Sequence, residues 1–239
     1  GDDKLLIPVE NIDLIDRYVA DGSSYAVVDK LGKGSFAKLK EKVKDRLFAI
    51  ANDIIKLAAA RELVNGIKIN TEKKLLEDFP KGSGFDYTKD QKRSIKEIFA
   101  DLSSGRVMDR LLSGDVGFGK TEVAMNAMLA VVLDGFQALF ICPTTLLASQ
   151  HFHGIQKRFS EFGIKVAKLD GKTSAKEKTS IKKALENGDI QIVIGTHSLL
   201  SVKTKDLALV IIDEEHKFGV KQKEKLKQLR EDVHIFSMS

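Results

Sequence analysis

The sequence predicts an α/β fold in which helices cover a parallel sheet. Two observations support this prediction: from about residue 85 onward, apolar runs of strand length alternate with longer helical stretches, and most of those stretches end at a glycine. Parallel strands are buried on both faces and are joined by helical crossovers, so they produce this pattern. We expect such a sheet to be preceded by a long connector helix and by a short N-terminal strand.

The expected strands are the apolar runs at 138–141, 190–194, 207–212 and 233–238, with a shorter strand around Leu111 and Leu112. The glycines expected to end the helices between them are Gly135, Gly163 and Gly188, because glycine readily adopts the left-handed conformation that follows a helix.

The chain divides into three segments. Residues 1–34 contain an apolar run at 5–9 and are too short to form a core of their own. Residues 35–65 lack Gly and Pro and repeat apolar residues every three or four positions, which predicts one amphipathic helix with Ser35 as its cap. Thirty helical residues would span about 45 Å, so we interpret 35–66 as a connector and 67–239 as the main lobe.

Composition excludes several protein classes. Charged residues make up 31% of the 239 positions and no apolar run approaches the roughly 20 residues of a membrane span, so we expect no membrane contact. The single cysteine, Cys142, rules out a disulfide framework and fits the cytoplasm. The net charge of +5 permits nucleic-acid binding without requiring it, and few aromatic residues favour contacts to phosphates.

A phosphate-binding loop is predicted at residues 114–121. The string Gly114, Asp115, Val116, Gly117, Phe118, Gly119, Lys120 and Thr121 matches G-x-x-x-x-G-K-[ST] and lies between a short strand and a helix. Its backbone amides and the helix N-terminus suit phosphates, Lys120 reaches the terminal phosphates, and Thr121 can ligate magnesium. The alternative is a tight turn with a capping threonine.

A cluster of acidic residues follows the most apolar strand. Asp213, Glu214 and Glu215 precede His216 at the carboxyl end of that strand. Because the carboxyl ends of parallel strands share one crevice, Asp213 is expected to hold magnesium and Glu214 to polarise the attacking water. The alternative is a solvated acidic loop, which suits Glu215 best.

The segment before the first helix of the lobe has two interpretations. Phe85 could stack on adenine while the Gln91 amide contacts its edge. Thr88 and Gln91 also have capping-box spacing, which needs no ligand. The sequence alone leaves both interpretations open.

Two loops at strand ends could contact a nucleic-acid backbone. One contains Thr144 and Thr145, and the other contains Gly195, Thr196 and His197. Each loop can also be explained as the start of a capped helix.

With these motifs in view, the chain from about residue 85 resembles the first RecA-like lobe of superfamily 2 DNA helicases and translocases, and in most detail the bacterial transcription-repair coupling factors. The similar strings are residues 114–124, 143–148 and 213–220. The first five residues resemble the last strand of that family's RNA-polymerase-interacting domain, and the helix from Ser35 is similar in position to its relay helix.

The resemblance implies ATP and Mg²⁺ as cofactors, double-stranded DNA as the track, and displacement of stalled RNA polymerase. It implies an adenine site at Phe85 and Gln91, catalytic roles for Lys120, Asp213 and Glu214, and DNA contacts at the two threonine loops. A damage-recognition protein of nucleotide-excision repair would bind through regions that this chain lacks. The chain is therefore expected to be a fragment that binds nucleotide and hydrolyses it poorly.

Three alternatives remain. A branched-DNA helicase of the RecG type shares parts of the pattern, although its acidic motif typically carries Gln where this chain has Glu215. A nucleotide-switched protein-binding module would use residues 1–66 for docking. A P-loop enzyme acting on a small molecule would show no salt-dependent affinity for DNA.

Overall fold

The computed structural model of the chain describes residues 7–10, 35–62, 64–218 and 232–239. The chain forms two compact units, Gly1–Ala58 and Ala59–Ser239. Most of the predicted N-terminal strand lies outside the described residues. At its described end Val9 and Glu10 adopt a 3-10 conformation instead of an extended one, next to Pro8, whose nitrogen cannot donate to a strand partner.

The predicted long helix is present as α1 (Ser35–Glu62), which begins at the residue expected to cap it. Its role as a connector stays a prediction. The helix ends before Gly66, the last residue of the predicted connector. Gly66 approaches the backbone of Arg106 so closely that a Cβ would lie 2.4 Å from the Arg106 carbonyl carbon. Where its side chains are described, they are exposed, including the apolar Leu39, Val43 and Leu47. No helix in the described ranges is long and apolar enough to cross a membrane.

The larger unit alternates helices and strands as predicted. Its helices are α2 (Lys74–Asp78), α3 (Lys89–Ser103), α4 (Lys120–Leu133), α5 (Thr145–Ser160) and α6 (Ala175–Asn187). Its strands are β1 (Asp109–Leu112), β2 (Gln137–Ile141), β3 (Val166–Leu169), β4 (Ile192–Gly195), β5 (Leu207–Asp213) and β6 (His234–Met238).

The six strands form one sheet in the order β1-β6-β5-β2-β4-β3, and every pairing is parallel. This confirms the predicted fold class. The sequence analysis missed β3, because its pattern Val-Ala-Lys-Leu is short and is interrupted by Lys168. The glycines Gly135, Gly163 and Gly188 all have positive φ next to helix ends, as predicted.

Both faces of the central strands β6, β5, β2 and β4 are buried, since their residues enter two different cores, whereas the edge strand β1 exposes Leu111. Ala138 and Phe140 of β2 belong to the core that contains α3, α4 and α5. Leu139 and Ile141 point into the other core, which α6 covers through Leu185. Burial on both faces fixes the strand register, and the register in turn positions the loops at the carboxyl edge.

Candidate functional site

The register of the sheet aligns the ends of three neighbouring strands. Leu112 of β1 pairs with Met238 of β6, and Met238 pairs with Asp213 of β5. Backbone hydrogen bonds continue this alignment past the strands: the Gly114 amide donates to the Ser239 carbonyl at 3.1 Å, and the Glu214 amide donates to the Met238 carbonyl at 2.9 Å. The glycine-rich loop and the acidic strand end are therefore two strand spacings apart, about 10 Å.

The predicted phosphate loop connects β1 to α4. Residues 113–118 are exposed, and Val116 and Phe118 expose 96% and 65% of their surface. Gly119 is the residue before α4, with φ of 72°, and a Cβ there would lie 2.4 Å from Nε2 of Gln91. The positive φ favours glycine at this position of the motif, whereas the flexible end of Gln91 could shift to make room for a Cβ.

The Lys120 ammonium lies within the loop that precedes it. Its Nζ donates to the carbonyl oxygen of Gly114 and, at 3.1 Å, to that of Asp115. An ammonium has three donors on a flexible stem, so Lys120 can reach from these carbonyls to a neighbouring anion. Thr121 follows in the first turn of α4 and is half-buried.

Gln91 joins α3 to the phosphate loop. Its Oε1 accepts from the Thr88 amide at 2.8 Å while the Thr88 hydroxyl accepts from the Gln91 amide, so the capping box is formed. Its Nε2 donates to the Phe118 carbonyl at 2.9 Å. A glutamine amide has two hydrogens and two lone pairs on its oxygen, so one of each remains after these bonds.

Phe85 is 53% exposed and lies beside Tyr87, with ring centroids 6.0 Å apart. It lines a cavity of about 410 Å³ together with Tyr87 and Lys92. Its open ring face is suited to stacking against a planar group.

The Asp213 carboxylate lies at the buried end of β5. Its Oδ2 is 2.9 Å from Nε2 of His151, which projects from α5. The Cys142 thiol is next to both, and the three possible ligand atoms lie within 4.8 Å of one another. Burial, together with the charge of Asp213, raises the pKa of Cys142, so this thiol stays protonated.

Glu214 and Glu215 have different surroundings. Glu214 has φ of 52°, a conformation that is strained for a residue other than glycine, and its carboxylate pairs with Lys217. Glu215 accepts a hydrogen bond from the Ser237 hydroxyl of β6 at 2.8 Å. The alternative of a solvated acidic loop, which suited Glu215 best, does not describe this residue, because the bond ties it to the neighbouring strand.

The two threonine loops follow β2 and β4, which are neighbours in the sheet. Thr144 is exposed and caps α5, since its hydroxyl accepts from the Leu147 amide at 3.3 Å. Thr145 begins that helix. The capped-helix interpretation is therefore correct for this loop. The N-terminus of α5 is exposed at Thr144, so an anion could still bind there.

The second loop begins at Gly195, where a Cβ would lie 2.0 Å from the Leu169 carbonyl oxygen. Thr196 is buried and its hydroxyl is 3.3 Å from that of Ser198, whereas His197 is exposed at the start of a 3-10 helix. The Thr196 side chain does not cap that helix, so the capped-helix interpretation is wrong here.

A buried polar network behind the phosphate loop was not predicted. The Tyr87 hydroxyl donates to Glu122 Oε1 at 2.6 Å, and Arg158 donates to the same oxygen at 2.9 Å and to the Phe79 carbonyl at 2.7 Å. The Asn126 amide donates to the Tyr87 hydroxyl at 3.0 Å. Burial raises the pKa of Tyr87, which keeps its hydroxyl a donor.

The predicted residues thus fall into two groups on one edge of the sheet. The phosphate loop, Gln91 and the acidic strand end are grouped around β1, β6 and β5, and the threonine loops follow β2 and β4. Sequence reasoning did not single out His151 as a functional residue. No local pattern reports a contact with a strand 62 residues away.

The part of the chain that carries most of the predicted site matches a known protein family, and the whole chain matches curated proteins. Residues 88–239 match the model of a family described as DEAD/DEAH box helicase. The whole chain is 56% identical over 239 residues to a transcription-repair-coupling factor of Helicobacter pylori strain J99 and 43% identical over 241 residues to that of Bacillus subtilis strain 168. It covers 24% and 20% of those proteins, so it spans about a quarter of the curated relatives it matches.

Two solved structures superpose on this chain. A RecG chain bound to a three-way DNA junction superposes with a TM-score of 0.72 and 41% identity, over 85% of this chain and 28% of that one. The DUF1998 helicase MrfA, solved with DNA and AMPPNP, superposes with a TM-score of 0.58 over 73% of this chain and 27% of that one. Its identity of 20% shows the fold alone.

Proposed function

The chain belongs to the DEAD/DEAH box helicase family, and we propose that it is the ATP-binding motor lobe of a double-stranded DNA translocase. Family membership makes it part of an ATP-dependent superfamily 2 helicase or translocase. The observation that carries the site assignment is the register from Leu112 through Met238 to Asp213, which aligns the glycine-rich loop with the acidic strand end.

We assign nucleotide binding to residues on both sides of the phosphate loop. Lys120 would leave the carbonyls of Gly114 and Asp115 to bind the terminal phosphates, while the amides of the loop and the N-terminus of α4 would bind the remaining phosphate oxygens. Phe85 would stack on adenine. The unused amide hydrogen and lone pair of Gln91 would contact the base edge, so capping and base recognition are compatible.

One residue of α4 and one residue at the end of β5 fit a magnesium ion. The Thr121 hydroxyl and the Asp213 carboxylate are hard oxygen ligands of the kind that Mg²⁺ prefers. Bound there with ATP, the ion would neutralise charge on the transferred phosphate. Glu214 would orient the attacking water with one carboxylate oxygen while the other pairs with Lys217.

The loops after β2 and β4 are proposed to contact the DNA backbone. Thr144 and Thr145 offer the exposed N-terminus of α5, and Gly195 to His197 lie one strand away. Phosphate contacts fix position on DNA without reading its sequence, which suits a protein that moves along its track.

In the full-length protein we propose that this lobe couples transcription to repair, as the name of its curated relatives suggests, and that it does so by displacing stalled RNA polymerase. A nucleotide-excision-repair protein would bind to other parts of that protein. We expect the chain alone to bind nucleotide and hydrolyse it poorly, because it spans about a quarter of those relatives.

A second candidate is a motor lobe acting on branched DNA. The 41% identity to a RecG chain bound to a three-way junction favours it. The chain is 56% identical to a transcription-repair-coupling factor over its entire length, but 41% identical to RecG over 85% of its length. Both the identity and the coverage therefore support the first candidate more strongly.

The DNA contacts can be tested by titrating fluorescent duplex DNA with this chain at increasing salt. Neutralising two or three phosphates gives a slope of about −2 to −3 in log affinity against log salt. We expect His197→Ala to weaken binding several-fold, whereas His153→Ala, an exposed histidine on α5, should not. No measurable binding, or binding that does not weaken with salt, would argue against contacts to the DNA backbone. It would favour the small-molecule or protein-binding alternatives.

A further inference from the structure

His151 and Asp213 form a contact that the proposed mechanism does not use. Nε2 of His151 lies 2.9 Å from Oδ2 of Asp213, and the two side chains are only 17% and 12% exposed. We propose that His151 is a positioning residue whose hydrogen bond holds the Asp213 carboxylate in the orientation that magnesium binding requires. This inference rests on the proposed function, because it takes Asp213 to be a metal ligand.

The direction of the hydrogen bond follows from the chemistry of the two groups. An ionised carboxylate can only accept, so the imidazole must donate through Nε2. The bond occupies Oδ2 and leaves Oδ1 as the oxygen for a metal ion. In the described part of the chain no other side chain hydrogen-bonds to Asp213, and the adjacent Cys142 thiol is only a weak donor.

The imidazole is itself held in place by packing. Its ring lies against Phe140 of β2, with centroids 4.8 Å apart, and Phe140 is fully buried. The helix that carries it is anchored in the core by Ala148 and Ile155 on either side of His151. The donor is therefore fixed before any ligand binds, as expected for a group that orients a metal ligand.

The location of the bond supports this role over a purely structural one. His151 lines one cavity together with Thr121, the other residue that we assign to magnesium. His153, two residues further along α5, is exposed and lies against Phe152 instead. A histidine that only filled space beside Phe140 would not need its nitrogen directed at the one buried carboxylate of β5.

The test measures metal affinity directly. Mn²⁺ would be titrated into this chain, held in excess over ATP so that little free ATP competes for the metal, and followed by its electron paramagnetic resonance signal. His151→Phe keeps an aromatic ring but removes the donor, and we expect it to weaken Mn²⁺ binding about 10- to 100-fold, the usual effect of losing a partner of a metal ligand. His151→Gln places an amide nitrogen near the lost Nε2 and should restore most of the affinity.

Three controls separate the possible outcomes. ATP affinity in EDTA should be unchanged in His151→Phe, and His153→Phe should bind Mn²⁺ as the unsubstituted chain does. If His151→Phe unfolds, His151→Met replaces it, because Met and Gln have similar shapes and differ in the donor.

Equal Mn²⁺ affinity in the donor-free variants and the unsubstituted chain would overturn the inference alone. A failure of Gln to restore binding would overturn it as well, because the donor would then not be the cause. If the unsubstituted chain binds ATP in neither the presence nor the absence of Mn²⁺, the proposed function fails and this inference fails with it.

Discussion

At the scale of single residues, the hydrogen bonds of the buried His234 fix which of its ring nitrogens carries the proton. Nδ1 of His234 accepts from the Met108 amide at 2.9 Å, so Nε2 carries the hydrogen and donates to the Ile67 carbonyl at 2.7 Å. A ring in which one nitrogen accepts and the other donates must be neutral, because both nitrogens of a protonated imidazole are donors. His234 therefore joins β6 to the entry of β1 and to the segment before α2, which is a structural role.

The neutral state of His234 predicts a pH dependence of stability. Burial lowers its pKa below the usual 6.5, although the Ile67 carbonyl and the charges of Asp232 and Asp101 oppose the shift. Between the folded and unfolded pKa values the unfolded chain binds more protons, so this histidine's contribution to stability is lost as pH falls below about 6.5.

Melting curves of the chain and of His234→Gln between pH 8 and 5 would check this. The amide of Gln does not titrate, so the unsubstituted chain should lose more stability than the variant as the pH drops. The same comparison with His153→Gln, at an exposed position, should give parallel curves. Parallel curves for His234→Gln as well would contradict the assigned neutral state.

At the scale of elements, a buried ion pair connects three parts of the lobe. Glu122 in the first turn of α4 and Arg158 on α5 are 9% and 12% exposed, and Tyr87 brings the segment before α3 to the same carboxylate. The Arg158 guanidinium also stacks on Phe79, 4.2 Å from its ring centroid. This network fixes the proposed base-binding segment relative to the helix that begins at the predicted phosphate loop.

Breaking the network should be costly. Glu122→Gln leaves the Arg158 cation buried without its partner, and loss of one member of a buried pair typically costs about 3–5 kcal/mol. We expect a loss of this size in chemical denaturation. Arg158→Met together with Glu122→Gln should cost less than the two single changes summed, whereas strict additivity would show that the pair does not interact.

Elements differed in how well the sequence predicted them. The buried strands β2 and β5 and the capped helices were predicted because their patterns are local: continuous apolar runs, capping boxes and closing glycines. The strand β3 was missed because Lys168 interrupts it, and its position depends on pairing with β4. The Tyr87–Glu122–Arg158 network could not be predicted, because its members are 35 and 36 residues apart along the chain.

At the scale of the whole lobe, one edge of the sheet carries both proposed activities. The nucleotide residues lie around β1, β6 and β5, and the proposed DNA loops follow β2 and β4. The phosphate motif and the acidic strand end could be read from sequence because each is a contiguous string beside a strong structural signal. Their alignment required the strand order, in which β6, the last strand, pairs between β1 and β5.

The sheet order also locates His151 between the two activities. The helix that begins at Thr144 and Thr145 carries His151, which contacts Asp213. The proposed DNA loop and the proposed metal ligand are therefore linked by one helix and one hydrogen bond. Sequence spacing gave no sign of this link, since it depends on β2 and β5 being neighbours.

The central claim is that this lobe has a formed ATP site with adenine recognition at Gln91. The most direct test compares thermal stabilisation of the chain by Mg-ATP and Mg-GTP, together with Lys120→Ala and Gln91→Glu. Glu at position 91 keeps the acceptor for the Thr88 amide but removes the amide donor, so the helix cap survives while base recognition is lost together with the bond to the Phe118 carbonyl. An equal loss of stabilisation by ATP and GTP would mark damage to the phosphate loop, whereas a loss confined to ATP marks base recognition.

At 100 times its dissociation constant, a nucleotide should add about 2.7 kcal/mol of stability. We predict that ATP stabilises more than GTP, that Gln91→Glu removes this preference, and that Lys120→Ala removes most of the stabilisation by either nucleotide. Equal stabilisation by ATP and GTP, or none by either, would contradict the claim.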